Sequence, residues 1–460
     1  MSRAGKDIKF SLKVMVNKKK GKVLFAEVDS SFADVLLSFL TLPLGTIVRI
    51  LKKHYGDDAP AFGSLSTLYN GLANLDSDHF WTAGAKSILL HPRSSSDAQC
   101  KRLALDISDS PSFQYFICPK GCYKVKLRGV SMYYNFAGKC KFCQSYLIKV
   151  VDNNDAQIVA CEDGVFTKTT VSFLVTDDLH IMRNAGLLQI VSVLGVTDME
   201  EAEKIHITFG FSNVMDLLKA SLTSPTPLSD VIFKKTTEMS SAKRIYVVDI
   251  NSSISNSKTM NVKLVVQNST NKLLYAEAEE DFVEFLFSLL VIPLGGVESL
   301  LSRNSNVKAI DSLYRSADDL IHDKYFKNRG AKFRLIEPNI PHGYVSENHI
   351  LPLNEERLPT NVAYADYSLF PSTKFPKGQG SYLEGPQTYK VADDLTVTPF
   401  CIVSILSGLK MQKVPVSDLK EVEVQIGLKE ALSILKASLT STTALSDALL
   451  SQIVKELLGN

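Results

Sequence analysis

Four cysteines in the first third of the chain have the spacing of a metal site. Cys118 and Cys122 enclose three residues, Cys140 and Cys143 enclose two, and 17 residues separate the pairs. Two close cysteine pairs can place four thiolates around a tetrahedral zinc ion. We therefore predict a closed, structural zinc site. The alternative of unligated reduced thiols stays open, because a three-residue spacing is less common than two.

The segment around these cysteines is basic and aromatic. Residues 110–151 contain no Asp or Glu, and tyrosines and phenylalanines are interleaved with the basic residues. Such a surface can bind single-stranded nucleic acid through phosphate contacts and base stacking. It can equally be a small module with an aromatic core and solubilising lysines. The candidate nucleic-acid-binding residues are Lys120, Lys124, Lys126, Arg128, Lys139 and Lys141.

Two pairs of adjacent carboxylates follow equivalent strands, Asp177-Asp178 and Asp393-Asp394. Paired carboxylates can hold a divalent cation or act as an acid and a base. However, adjacent residues of a strand point to opposite faces, which hinders joint chemistry. We therefore expect these aspartates to be structural, in a turn or at a helix cap.

Recognised catalytic signatures are absent from the sequence. It contains no G-x-S-x-G, no Walker A loop and no H-E-x-x-H. The eight histidines lie where the other copy of an internal repeat has none, so no Ser-His-Asp set recurs in both copies. One such set in a single copy stays open, as does an enzyme site between the copies.

An internal repeat organises the chain. The apolar run Ala26–Gly45 returns as Ala276–Gly295, displaced by 250 residues without a gap. Its apolar residues recur at helical spacing, which predicts one largely buried helix in each copy. Acids and hydroxyls precede each predicted helix and suit its N-terminus, and the Pro-Leu-Gly at the end of each run should break the helix.

The surrounding elements repeat as well. A β-hairpin precedes each apolar helix, a second helix follows it, and strands are expected at Ser87–Leu90 and Phe333–Ile336. Later strands lead into helices that both end in LKASLTS. The mixed order favours the α+β class, with two tandem domains. We place the first domain at residues 7–236 with a zinc-ribbon-like insert at 113–151, a linker at 237–260, and the second domain at 261–460 with an irregular loop at 339–385.

Length and composition describe an ordinary globular chain. It has 460 residues, a net charge of +2 and no apolar N-terminal segment typical of a secretory signal. A net charge near zero gives the protein no overall electrostatic attraction to nucleic acid or to an acidic membrane. Seven cysteines, an odd number, argue against a disulfide framework and for a reducing intracellular compartment, cytoplasmic or nuclear. No membrane insertion is expected, since Pro43 and Gly45 interrupt the longest apolar run.

The combination of hairpin, PLG-terminated helix, Cys-rich insert, V-x-D-D-L strand end and LKASLTS helix resembles the plant family catalogued as domain of unknown function 674. The resemblance covers about residues 9–450. It implies a plant source and a tandemly duplicated chain, and it brings no activity with it. The sequence thus favours a non-enzymatic interaction or scaffold protein with an unidentified protein partner and a structural zinc. Nucleic-acid binding and an unrecognised enzyme are the alternatives.

Overall fold

A computed structural model describes residues 8–80, 83–109, 164–184, 201–235, 258–320, 322–341, 344–346, 348–356 and 381–449, residue 145, and three short strands between 115 and 150. The strands of this part are β1 (Phe10–Asn17), β2 (Lys22–Val28), β3 (Tyr115–Ile117), β4 (Ser131–Met132), β5 (Ile148–Val150), β6 (Phe173–Thr176), β7 (Ile181–Arg183), β8 (Ala202–Phe209), β9 (Met260–Gln267), β10 (Lys272–Glu279), β11 (Thr388–Val391), β12 (Val397–Pro399) and β13 (Leu419–Ile426).

The helices with defined bounds in the same part are α1 (Ser30–Ser38), α2 (Leu44–Tyr55), α3 (Leu65–Asn74), α4 (Ala83–Leu90), α5 (Asp97–Cys100), α6 (Phe211–Thr223), α7 (Pro227–Phe233), α8 (Glu280–Leu289), α9 (Leu294–Leu300), α10 (Lys308–Asp319), α11 (His322–Tyr325), α12 (Arg329–Ile336), α13 (Ile402–Met411) and α14 (Leu428–Thr440). A further helical segment covers residues 444–449.

Each repeat builds one five-stranded antiparallel sheet of the same topology. The strand orders are β7-β6-β2-β1-β8 and β12-β11-β10-β9-β13. The predicted hairpin forms the centre of each sheet, and alternating side chains of β1 are buried. Side chains alternate between the two faces of a strand, so this pattern gives each sheet a buried face. The α+β class is confirmed.

The predicted central helix is confirmed in both repeats, as α1 and α8. The carboxylate of Asp29 caps α1 by accepting a hydrogen bond from the backbone N–H of Phe32 at 2.8 Å. The helical structure ends before Pro43, which lacks the N–H that a continuing helix would need, and a new helix, α2, starts at Leu44. The equivalent break in the second repeat lies before Pro293.

The strands expected at Ser87–Leu90 and Phe333–Ile336 are wrong. Both segments are the C-terminal parts of helices, α4 and α12. A run of four or five mostly apolar residues does not distinguish a strand from a buried helix. Here the preceding Gly-Ala-Lys residues extend each run to a two-turn helix, and Asn328 caps the second one by accepting from the N–H of Ala331.

The two repeats bind each other at the PLG segments. The N–H of Leu44 donates to the carbonyl of Ile292 at 2.9 Å, and the N–H of Leu294 donates to the carbonyl of Leu42 at 3.0 Å. Pro43 and its counterpart in the second repeat form an antiparallel bridge. These bonds satisfy backbone groups that the helix breaks leave open.

Glycine allows close packing at both PLG segments. A Cβ on Gly45 would lie 3.1 Å from the carbonyl oxygen of Leu290, and one on Gly295 would lie 2.0 Å from that of Leu335. The first of these contacts crosses between the repeats. The recurrence of the Pro-Leu-Gly motif in both halves of this chain therefore has a second cause, close backbone approach, in addition to helix termination.

Each repeat also extends a helix to the other repeat's sheet. α10 of the second repeat contacts β7 and α6 of the first, and α3 of the first contacts β12 of the second. The contacting residues, Ser316 on α10 and Gly71 on α3, occupy equivalent positions of the repeat. The hydroxyl of Ser316 accepts a hydrogen bond from the N–H of Ile181 at 2.7 Å. Gly71 approaches the other sheet so closely that an added Cβ would lie 3.0 Å from the backbone nitrogen of Val397. One hydrophobic core consequently runs through both repeats.

The insert contributes a third, three-stranded antiparallel sheet in the order β4-β3-β5. The other residues of the insert, apart from residue 145, lie outside the described part. Among the described helices, none has the length and apolar character needed to cross a bilayer. The predicted domain boundaries stay predictions, because residues 236–257 also lie outside the described part.

Candidate functional sites

The first aspartate of each predicted pair holds the last helix of its repeat. Asp177 accepts from the N–H of Ser229 at 2.8 Å and from its hydroxyl at 2.7 Å. Asp393 accepts from the N–H and the hydroxyl of Ser446, both at 2.8 Å. Burial raises the pKa of both carboxyls, and these hydrogen bonds act in the opposite direction. Both carboxylates are thus engaged with protein donors.

The second aspartate of each pair faces the other repeat. Asp178 accepts from the hydroxyl of Thr176 at 2.5 Å and from that of Ser312, on α10, at 2.8 Å. Burial alone would raise its pKa, but these hydrogen bonds outweigh burial, and the pKa is lowered. In the second repeat the backbone carbonyl of Asp394 accepts from the hydroxyl of Thr67, on α3. Both copies therefore join repeats at this position, through different atoms.

Serine, histidine and aspartate meet beside this contact. Nδ1 of His180 lies 3.0 Å from the hydroxyl of Ser316. That hydroxyl donates to the carbonyl of Ser312 at 2.7 Å and accepts from the N–H of Ile181, and Ser316 is fully buried. Asp178 binds Ser312 and not the histidine. A nucleophilic serine needs access to substrate and a histidine oriented by the acid, so this cluster has the geometry of an inter-repeat contact.

Two acids on the central helices were missed as candidate residues. Asp34 of α1 accepts from the backbone N–H groups of Val165 at 2.6 Å and Thr167 at 2.8 Å, and from the Thr167 hydroxyl at 2.8 Å. Its counterpart 250 residues on, Glu284, accepts from the N–H of Tyr382 and from the hydroxyl of Ser381 at 3.1 Å. The recurrence of one acid inside an otherwise apolar helix was the available signal.

These acids anchor the chain where it returns from the variable segment of each repeat. The returning segments are also bridged to the other repeat, Thr167 to Phe326 and Leu383 to Phe80. The N–H of Lys168 donates to a carbonyl of the second repeat at 2.9 Å. Both variable segments therefore end at points that the joint core holds in place.

A patch of exposed apolar side chains lies on α13 and the loop after it. On the inner side, Ile405 and Leu409 pack against the second sheet. The outward residues, which we call the α13 patch, are Ile402 (64% exposed), Val403 (74%), Leu406 (49%), Met411 (85%) and Val416 (63%). Large exposed apolar patches often mark binding sites on protein surfaces.

The predicted zinc ligands Cys118, Cys122, Cys140 and Cys143 lie outside the described residues, as do the predicted nucleic-acid-binding residues, Lys120, Lys124, Lys126, Arg128, Lys139 and Lys141. Both sites stay predictions. Within the described ranges, no group of three or more His, Cys, Asp or Glu side chains is arranged to hold a metal ion. Two described cysteines are free thiols, Cys100 buried and Cys401 exposed.

The sequence matches a protein-family profile over most of its length. A family profile described as "Protein of unknown function (DUF674)" matches residues 6–429 and, in a second overlapping match, residues 372–458. The second match agrees with the internal duplication. No curated protein and no solved structure matches the chain.

Proposed function

Since this chain belongs to the DUF674 family of proteins of unknown function, we propose on the strength of its own geometry that it is a non-enzymatic interaction protein. The fused repeats act as a rigid support, and the α13 patch binds the partner. The observation that carries the proposal is the clustering of exposed apolar side chains. Five of the six most exposed large apolar residues of the described part fall within 15 residues of sequence.

The buried polar groups of the described core support the same proposal. The paired aspartates, the central-helix acids and the His180 cluster all make hydrogen bonds that hold elements together. Catalytic groups, in contrast, combine perturbed pKa values with access to a substrate. The perturbed carboxyls of Asp34 and Asp177 instead accept hydrogen bonds from groups of the fold itself.

The proposal includes a structural zinc in the insert. β3 pairs through Phe116 with Ser131 of β4 and through Ile117 with Ile148 of β5. The end of β3 and the starts of β4 and β5 therefore lie at one end of the small sheet. Along the chain, Cys118 follows β3 directly and Cys143 precedes β5 by five residues. This placement supports a zinc ion bound by both cysteine pairs, which would stabilise a module with a small core.

A site-specific photocrosslinker tests the interaction proposal while the partner is still unidentified. A photoreactive amino acid replaces Met411, and the full chain is irradiated in cell extract. We expect discrete adducts, reduced at least fivefold by Ile402→Ser with Val403→Ser, because these changes remove apolar area from the same patch. The same amino acid at the exposed position of Glu423, on β13, is the control. Absence of both protein and lipid adducts at Met411, or equal adducts at both positions, would contradict the proposal.

A further inference from the structure

The α13 patch is a ridge and not a groove. Only Ile405 and Leu409 of α13 are buried on the sheet, and the outward residues are half to almost completely exposed. A Cβ added at Gly408 would have no neighbour within 4 Å. A protruding apolar ridge needs a concave partner if the partner is a protein. A bilayer surface needs no such complementarity, since lipids move aside around inserted side chains.

The residues of the ridge itself carry positive charge only. Residues 400–417 contain Lys410 and Lys413, both exposed, and no Asp or Glu. The neighbouring acids are engaged elsewhere: Asp418 is held on the β9–β10 hairpin by hydrogen bonds, and Glu421, on the sheet that α13 covers, is ion-paired with Lys263. Lysines beside exposed apolar side chains attract anionic headgroups while the apolar groups enter the interface. With a net charge of only +2 over the whole chain, this attraction is local to the ridge.

Self-association through the ridge is disfavoured by the same charges. A second copy of the α13 patch would bring the same two lysines, while the neighbouring Asp418 and Glu421 are already bound to other groups. An anionic surface provides both complements, negative charge for Lys410 and Lys413 and an apolar layer for the ridge. The absence of a membrane-spanning helix among the described residues leaves such surface docking unaffected.

We propose that the α13 patch docks on the surface of a membrane rich in anionic lipid. The side chains of Val403, Leu406 and Met411 would reach the boundary between headgroups and acyl chains, and Lys410 and Lys413 would contact the headgroups. This inference rests on the proposed function, because it names the partner of the same patch. It also assigns a role to Lys410 and Lys413, which binding of a protein to the apolar side chains does not require.

Vesicle sedimentation with the full-length protein tests the assignment. The probes are vesicles of phosphatidylcholine alone and of phosphatidylcholine with about 30% phosphatidylserine. We expect at least fivefold tighter binding to the anionic vesicles, weakened by high salt because salt screens the lysines. Val403→Asp with Met411→Asp should weaken binding at least tenfold, and Lys410→Gln with Lys413→Gln should remove the preference for phosphatidylserine.

Matched controls separate docking from general stickiness. Phe333→Asp changes an exposed apolar residue on α12, outside the patch, and should bind vesicles like the wild type. All changed side chains are solvent-exposed, and circular dichroism with thermal melting verifies their folding. Equal binding by the patch variants, equal binding to neutral and anionic vesicles, or no vesicle binding would each overturn the membrane assignment. Protein adducts at Met411 without vesicle binding would overturn it while leaving the proposed interaction function intact.

Discussion

Glu298 is a buried acid that the first repeat does not share. It lies on α9, is fully buried, and faces Asp311 and Ser305. Burial raises its pKa well above the ordinary value of 4.5, and the neighbouring charge of Asp311 adds to this, while Ser305 and Arg315 act in the opposite direction. Position 48, its counterpart in the first repeat, is a valine. The second repeat therefore carries a pH-sensitive group that the first lacks.

The contribution of Glu298 to folding stability should consequently fall as the pH rises. A raised folded-state pKa contributes stability that is complete below pH 4.5, the unfolded value, and is lost as the pH rises through the folded value. Glu298→Gln keeps the shape and removes the titration. We expect the variant to gain stability relative to the wild type as the pH rises from 5 to 8, because only the wild type then loses the contribution of a protonated buried carboxyl.

Urea unfolding at the two pH values measures this difference. Glu423→Gln, on the exposed side of β13, is the matched control and should show no comparable gain. If the gain expected for Glu298→Gln were absent, with both variants responding equally to pH, Glu298 would be excluded as the titrating group.

Lys436 is a second buried charged residue near Asp311. Burial lowers its pKa, and the charge of Asp311 acts in the opposite direction, so Lys436 contributes to the electrostatics around the same acid.

At the level of single residues, the sequence could show which polar positions recur but not what they bind. The pairing of Asp177 with Ser229 repeats as Asp393 with Ser446, and all four residues are visible when the two halves are aligned with each other. The partner of Asp34, in contrast, lies 131 or more residues away, beyond an insert of different length and composition. Periodicity is a local signal, so it cannot identify such a partner.

Among the elements, hairpins and long helices were predictable because their patterns are extended and specific. The two hairpins combine alternation with polar turns, and the central helices carry four or more apolar positions at helical spacing. The strand predictions at Ser87–Leu90 and Phe333–Ile336 were wrong because a short apolar run lacks a period that distinguishes a strand from a buried helix. The exposure of the α13 patch was also unpredictable, since the sequence alone does not indicate which apolar residues a sheet will leave uncovered.

The insert is the element for which metal is the decisive measurement. We expect about one equivalent of zinc per chain, lost in Cys140→Ser with Cys143→Ser because the zinc would keep only two of four thiolates. Cys401→Ser is the matched control, since this exposed thiol lies in the other repeat and outside the predicted site. Metal analysis of purified protein measures both. Less than a tenth of an equivalent of zinc in the wild type, even after refolding with metal, would exclude the site.

The two repeats share one hydrophobic core, so we expect the whole molecule to fold as one unit. Backbone hydrogen bonds join the PLG segments, and α3 and α10 each contact the sheet of the other repeat. Such an interface resembles that of an obligate dimer, in which partners do not separate without unfolding. The repeat pattern alone predicted two tandem domains. It did not predict that the repeats exchange contacts, because the apolar pattern of a helix is the same whether the helix covers its own sheet or that of the other repeat.

Cutting the linker should therefore leave the molecule assembled. A protease site inserted between Asn251 and Ser252 divides the full chain into its two repeats. We expect the cleaved fragments to elute together in size-exclusion chromatography and to separate only in denaturant, since the shared core and the inter-repeat hydrogen bonds persist. Separation of the fragments in native buffer would contradict the fused architecture.

Glycine substitutions then test whether the PLG contact holds the cleaved fragments together. A methyl group at Gly45 would lie 3.1 Å from the Cβ and from the carbonyl oxygen of Leu290 in the other repeat. Gly45→Ala should lower the stability of the complex by about 1–3 kcal/mol, the usual cost of overpacking. Gly408→Ala, where the methyl group meets open space, should raise stability by up to about 1 kcal/mol through helix propensity. The urea midpoint of fragment separation, at one protein concentration, measures both. Equal midpoints for the two variants would show that the close approach at Gly45 does not control the association of the repeats.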